Sequence, residues 1–171
     1  MIIWVIVLLL TACGSTKVNT TQSRFYQSFV TRFNVYHNGN EAYKEGLSAQ
    51  EKSHKDNYME IIPLFPVSKE NTRSSGSGSF DKAIEKSQKA IKLHSIKQKP
   101  KKKAGRKLSE KDKLWYAKKE YNPYLHNAWM LMGKAQFQKG EFLEAASTFS
   151  YITRLYSEDP KIVAEARMRM A

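Results

Sequence analysis

Four histidines, His37, His54, His94 and His126, are the side chains best suited in this 171-residue chain to hold a metal or move a proton. Their separations fit no metal-ligand pattern, and none opens a His-Glu-x-x-His pair. Each therefore reads as a surface or helix-face residue. Gly76-Ser77-Gly78 is followed by neither a strand pattern nor Lys-Ser or Lys-Thr, which argues against a phosphate-cradling loop. No set of Ser, His and carboxylate stands out. The reading is a non-enzyme, with no catalytic residue, no metal and no dissociable cofactor, whose chemistry is binding.

One residue is placed for covalent modification. Cys13 is the single cysteine, so neither a disulfide framework nor a four-thiolate zinc site can be built. Residues 2 to 10 are apolar without interruption, yet a helix extended through Ala12 would reach only about 18 Å, short of a bilayer core of about 30 Å. The stretch reads as the apolar part of a signal peptide over 1–12. Leu10-Thr11-Ala12-Cys13-Gly14 resembles the bacterial lipobox, in which small residues admit a peptidase and the thiol takes a diacylglycerol, so that Cys13 becomes the new N-terminus. A covalent lipid on Cys13 is the expected non-protein group, and acyl chains contribute about 0.8 kcal/mol per buried methylene to anchoring. Residues 1 to 12 hold no Lys or Arg, unlike the usual positive start of a leader; a start codon set too late would account for that. Gly14 rather than Asp follows the cysteine, and no acidic run comes next. In lipoproteins that pattern implies the outer membrane, periplasmic side.

The charge is unevenly spread. The chain carries 29 Lys and Arg against 16 Asp and Glu, a formal +13, and Lys97 to Lys113 alone holds eight Lys and one Arg against Glu110 and Asp112. That run has no aromatic residue to stack on bases, so nucleic acid is not the expected partner. Two readings remain for 97–109: a solvated basic disordered insertion, or a contact for anionic lipid or envelope glycan.

The remaining pattern is helical, with enough apolar material for one modest core or a stack of helix pairs. Residues 13–22 are expected to be a flexible tether. Within 23–67, Phe25, Phe29 and Phe33 fall four apart with Tyr26, Val30 and Tyr36 nearby, predicting a helix with a broad aromatic face. Asn38-Gly39 is a turn signal and Asn40 a cap for a second, antiparallel helix over about 41–52. Asp56 to Pro66 is apolar but broken by prolines, which predicts a packed, irregular connection. Residues 68–79 are rich in Ser, Gly, Asn and charge, predicting a mobile loop. Over 80–96 a helix should set Phe80, Ala83, Ile84, Ser87, Ala90, Ile91 and His94 on one side. Ser109-Glu110-Lys111-Asp112 matches a capping box opening a helix to Glu120, and Asn122-Pro123 opens another over about 123–138.

Trp129-x-x-Met132-Gly133, then Gly140, Phe142, Ala145-x-x-x-Phe149 and Pro160 resemble the tetratricopeptide pattern of paired antiparallel helices. In that pattern Gly133 and Ala145 let two helix axes approach to about 8 Å while Trp129, Phe137, Phe142 and Phe149 fill the flanks. Ala128, Met132 and Gly133 recur 38 residues later as Ala166, Met170 and Ala171, which makes 160–171 the start of a next unit. Gly78, Phe80, Ala83 and Ala90 repeat the spacing of Gly140, Phe142, Ala145 and Ile152. The implied fold is all-α, an α-solenoid of tetratricopeptide-like pairs with 110–159 as helix and repeat; the chain is then expected to be the N-terminal part of a longer repeat protein, since such arrays need stacked neighbours and caps. A partner groove would be lined by first-helix residues turned away from the second helix: Asn127, Met130, Lys134 and Gln138.

Further strings are more specific than a repeat consensus. Phe33-Asn34-Val35-Tyr36-His37-Asn38-Gly39-Asn40-Glu41-Ala42-Tyr43-Lys44-Glu45-Gly46, then Asp56-Asn57-Tyr58 with Ile62-Pro63-Leu64-Phe65-Pro66, Asp81-Lys82-Ala83-Ile84-Glu85-Lys86, and the stretch from Tyr121 to Tyr156 together resemble the N-terminal part of the PorW/SprE lipoproteins of the type IX secretion system. That resemblance implies an outer-membrane-anchored periplasmic scaffold with envelope or secretion-system proteins as partners, in some members serving gliding motility. The alternatives are an outer-membrane-protein assembly or cell-envelope coordination lipoprotein, or the adaptor part of a periplasmic enzyme.

Overall fold

A computed structural model describes residues 18–59, 61–62, 66–101 and 108–171. The signal segment 1–12, Cys13, residues 63–65 and the Lys102 to Lys107 part of the basic run lie outside them. Among the described residues the architecture is all-α, without a strand, and the helices pack against one another.

Helix begins before the expected tether ends. Thr20 Oγ1 accepts from the Ser23 N–H at 3.1 Å, the N-cap arrangement that satisfies an orphan donor. Asn19 Nδ2 donates to Gln98 O at 2.7 Å, so residues 19–22 are fixed rather than flexible. From there α1 (Thr21–Val30), a π-helical turn (Thr31–Tyr36) and α2 (His37–Ser53) run on without interruption. The π turn has a local cause: the Thr31 hydroxyl donates to Gln27 O at 2.6 Å and accepts from Asn122 Nδ2 at 3.0 Å, which loosens the ordinary ladder.

The turn expected at Asn38-Gly39 is therefore absent, and Asn40 caps nothing. Gly39 keeps helical backbone; among the described glycines only Gly76 and Gly140 have positive φ. A Cβ on Gly39 would stand 3.2 Å from both Leu131 Cδ2 and Lys86 Cβ. This glycine lets other helices come close, and the Asn-Gly pair carries no turn.

The described part of 54–62 is irregular but not packed, with Tyr58, Met59 and Ile61 almost fully exposed. Residues 68–79 depart from the mobile-loop expectation in the other direction. After a 3-10 turn (Pro66–Ser68) comes a short helix, α3 (Glu70–Ser74). Arg73 organises it: Nε donates to Val67 O at 2.7 Å, and the guanidinium lies 5.2 Å from the Phe142 ring centroid. Val67 and Thr72 are buried. Polar composition concealed an arginine with a carbonyl and a ring to bind.

α4 (Ser77–His94) buries Phe80, Ala83, Ser87 and Ala90, the side expected from the sequence. Its entry glycine is Gly76 at φ 80, not Gly78. Ile96 and Tyr121 then close the neck of the basic segment through Tyr121 N–H to Ile96 O at 3.0 Å. Glu120, buried at 5% exposure, clamps it: Oε1 accepts from the N–H groups of Ile96, Tyr121 and Asn122 at 2.8, 3.0 and 2.8 Å. Between these two sides of the neck, α5 (Glu110–Ala117) starts with the expected Ser109/Asp112 capping box but stops three residues short of Glu120, because Glu120 is committed to the clamp.

α6 (Leu125–Lys139) starts after Asn122 Oδ1 accepts from the Tyr124 N–H at 3.0 Å. That places its first residue two beyond Pro123. Gly140 at φ 89 ends it, followed by α7 (Phe142–Leu155) and α8 (Pro160–Met170). Contacts fix the directions. α4 runs against α2, since Gly39 lies by Lys86 and Gly46 by Phe80. It also runs against α6: Asp81 pairs with Lys139 at 2.7 Å while Ala90 clusters with Leu125 and Ala128. α7 runs against α6, with Phe137 beside Phe142 and His126 beside Tyr156.

Two ring-on-glycine contacts set the spacing of this array. A Cβ on Gly46 would lie 2.6 Å from Phe80 Cε1, and one on Gly133 would lie 2.7 Å from Phe149 Cε1. Both rings are buried, and burying such a side chain contributes roughly 1.5–3 kcal/mol. Gly133→Ala should destabilise the protein by about 1–2 kcal/mol in thermal or urea unfolding, overpacking exceeding the gain in helix propensity. Gly78→Ala, where an added methyl meets nothing within 4 Å, should leave stability unchanged or raise it. A rise at Gly133 equal to that at Gly78 would contradict the contact.

Candidate functional site

The parallel course of α2, α6 and α8 brings one side of each to a common cleft. Gly39 lies by Leu131, and Gln50 Nε2 donates to Gln138 O at 2.9 Å, so α2 and α6 point the same way. Ile162 packs in the cluster of Tyr156, and Arg169 sits by Lys134 and Gln138. The cleft has a volume of about 170 Å³ and is lined by Tyr43, Lys134, Phe137, Gln138, Phe149 and Arg169.

Each wall has a structural reason. Tyr43 is buried against Phe80, ring centroids 5.8 Å apart, and its hydroxyl bonds the Gln138 side chain. Burial pushes the Tyr43 phenol above its usual range. Lys134, half-buried, places Nζ 4.9 Å from the Tyr43 ring centroid, a cation–π distance. Burial, with the Arg169 charge, draws the Lys134 ammonium pKa down, while Glu165 works against that. Arg169 is held by Glu165 one turn earlier at 3.0 Å. Phe149 forms the floor from α7.

Of the four groove candidates, Lys134 and Gln138 line this cleft together. Met130 does not: it is 4% exposed and packs with Phe149, Ile152 and Ala166, because α8 covers it. Asn127 turns back on its own helix, Nδ2 donating to Tyr124 O at 3.3 Å. The repeat-signature residues fall around the same contact. Gly133, Ala145 and Phe149 are buried together with Met132, Trp129 stacks on Tyr151 at 4.8 Å, and Gly140 supplies the left-handed turn. Phe142 is half-exposed, flanked by Phe137 and Arg73. Tyr43 and Arg169 escaped the sequence reading, since each meets Lys134 only through packing of distant helices.

The described histidines are scattered. His54 bridges Asp56 and Thr72 at 3.0 and 3.3 Å; His94 contacts Gln27 Oε1 at 2.5 Å; His126 meets the edge of Tyr156. Among the described residues no group of three or more His, Cys, Asp or Glu could hold a metal, and no helix is long and apolar enough to cross a membrane. A second cleft, about 190 Å³, lies between α5 and the α7–α8 turn, with Trp115, Tyr121, His126, Tyr156 and Asp159 on its walls. Two polar atoms of this region, Trp129 Nε1 and Tyr156 Oη, are buried without a protein partner, and burial holds the Tyr156 phenol well above its usual range.

Compared with known proteins, the chain matches no family model and no curated sequence.

His94 and His126 have their pKa lowered, first by burial. The unfolded chain therefore takes up protons at higher pH than the folded one, so the stability they contribute is complete above about pH 6.5 and is lost as pH falls through the lowered folded values. The urea midpoint should drop between pH 7.5 and 5.5, and a double variant, His94→Gln with His126→Gln, should flatten that slope. An equal slope in the variant would contradict the assignment.

Proposed function

We propose that this protein is a periplasmic scaffold of tetratricopeptide-like helix pairs, held at the outer membrane by a lipid on Cys13, that binds other envelope proteins in type IX secretion. The observation that carries the scaffold reading is the parallel alignment of α2, α6 and α8, each separated from the next by a helix running the other way. In tetratricopeptide arrays the first helices of successive pairs line one concave surface, and α2/α4, α6/α7 and α8 correspond to two pairs and the start of a third. The cleft lies on that surface. Its residues, a lysine, an arginine, a glutamine and aromatic walls, are suited to recognising another chain and hold no nucleophile with an adjacent base.

The lipid and the secretion system rest on sequence alone: the lipobox at 10–14 and the resemblance of the stretches 33–46, 56–58, 62–66, 81–86 and 121–156 to PorW/SprE lipoproteins. The basic run between Lys97 and Lys113 offers positive charge to anionic lipid or glycan, and its neck is held to the helical body by Glu120.

Cys13→Ser should abolish fatty-acid labelling and release the protein from the membrane fraction; unchanged fractionation would defeat the anchor. Cross-linking in intact cells, followed by capture under denaturing conditions, should recover subunits of the secretion machinery, and their consistent absence would remove the secretion assignment.

A further inference from the structure

Lys134 is an unusual cation for a surface this rich in lysine. It is half-buried, it faces a second cation, Arg169, across the cleft, and among the described residues no carboxylate lies within ion-pair distance of it. Its neighbours are the Tyr43 ring at 4.9 Å and the Gln138 side chain. Lys139, also partly buried, contrasts with it by taking both Asp81 and Glu141, at 2.7 and 2.6 Å. Desolvating a charge without a counterion costs free energy, and burial and Arg169 do lower the Lys134 pKa. A site that keeps such a cost is short of one negative charge.

We propose that the cleft between α2, α6 and α8 binds the side-chain carboxylate of an acidic segment of a partner protein, received by Lys134 with Arg169 and flanked by Tyr43, Phe137 and Phe149. The proposal rests on the scaffold reading and names the partner's chemistry. Three features select this occupant. The charges facing the cleft are Lys134 and Arg169 against Glu165, a balance of one positive charge that a monoanion neutralises and a dianionic phosphate would overfill beside Glu165. The volume of about 170 Å³ is below the roughly 300–1,000 Å³ of pockets that enclose small molecules, and fits a side chain entering from an extended chain. The flanking rings offer apolar surface to the residues next to the acid. Formation of the pair would restore the ammonium's ordinary pKa, so bound Lys134 would be a poorer nucleophile than free Lys134.

The test uses the full chain and a fluorescent nine-residue peptide of three Gly-Leu-Glu repeats with an amidated C-terminus, followed by anisotropy. Binding should be saturable below 1 mM, weaken at least tenfold in Lys134→Gln, and stay within threefold in Lys134→Arg and in the exposed control Lys111→Gln. The peptide should also protect Lys134 from amine acylation, read by mass spectrometry on the unmutated protein. The proposal is overturned by no binding at 1 mM, by an equal loss in Lys111→Gln, by unprotected Lys134, or by equal binding of the Gly-Leu-Gln peptide. Preference for a Gly-Leu-Gln peptide with a free C-terminus also overturns it, in favour of terminal-carboxylate capture. If peptide binding fails while envelope proteins are still recovered by cross-linking, the acidic-segment inference falls and the scaffold reading stands.

Discussion

Two phenylalanine rings resting on glycine backbone hold this protein's helices at the spacing from which everything else follows. Phe80 lies over Gly46 and Phe149 over Gly133. Each contact joins a helix to the antiparallel neighbour, and each needs the absence of a Cβ. Interiors are close-packed, so a ring seated against bare backbone fixes separation and register more firmly than interleaved aliphatic chains. With α4 and α7 fixed in this way, α2, α6 and α8 are left side by side and parallel, and the cleft is the space between their exposed faces.

A second constraint keeps the lysine-rich segment from disturbing that arrangement. Glu120 gathers three backbone N–H groups at the neck, Asn122 ties Thr31 and the His94 carbonyl together, and Asn19 reaches Gln98. These bonds connect α1, α4 and α6 at one end of the array. Like charges repel one another, and the bonded neck ties both described ends of the lysine-rich stretch to the helical body.

Much of the helical pattern was legible in the sequence. Phe80, Ala83, Ser87 and Ala90 are on the buried side that their spacing requires, and the Ser109 box and Gly140 act as their residue types suggest. The errors share a cause. Gly39 and the polar residues around Arg73 were read through local propensity, whereas a helix packing against Gly39 and a carbonyl and ring within reach of Arg73 decide their structure. Part of the cleft was foreseeable, because Lys134 and Gln138 follow from helix periodicity; Tyr43 and Arg169 join them from 91 residues before and 35 after Lys134, a distance that periodicity cannot bridge. Met130 shows the converse, since a face left open within one helix pair is buried by α8.

The account stands on the ring-on-glycine contacts, and nuclear magnetic resonance reads them directly. Strong Overhauser cross-peaks should join the Phe149 ring protons to the Gly133 α-protons and the Phe80 ring protons to those of Gly46, with both glycines shifted by ring currents. Glycine α-protons at ordinary chemical shifts, without cross-peaks to either ring, would contradict it.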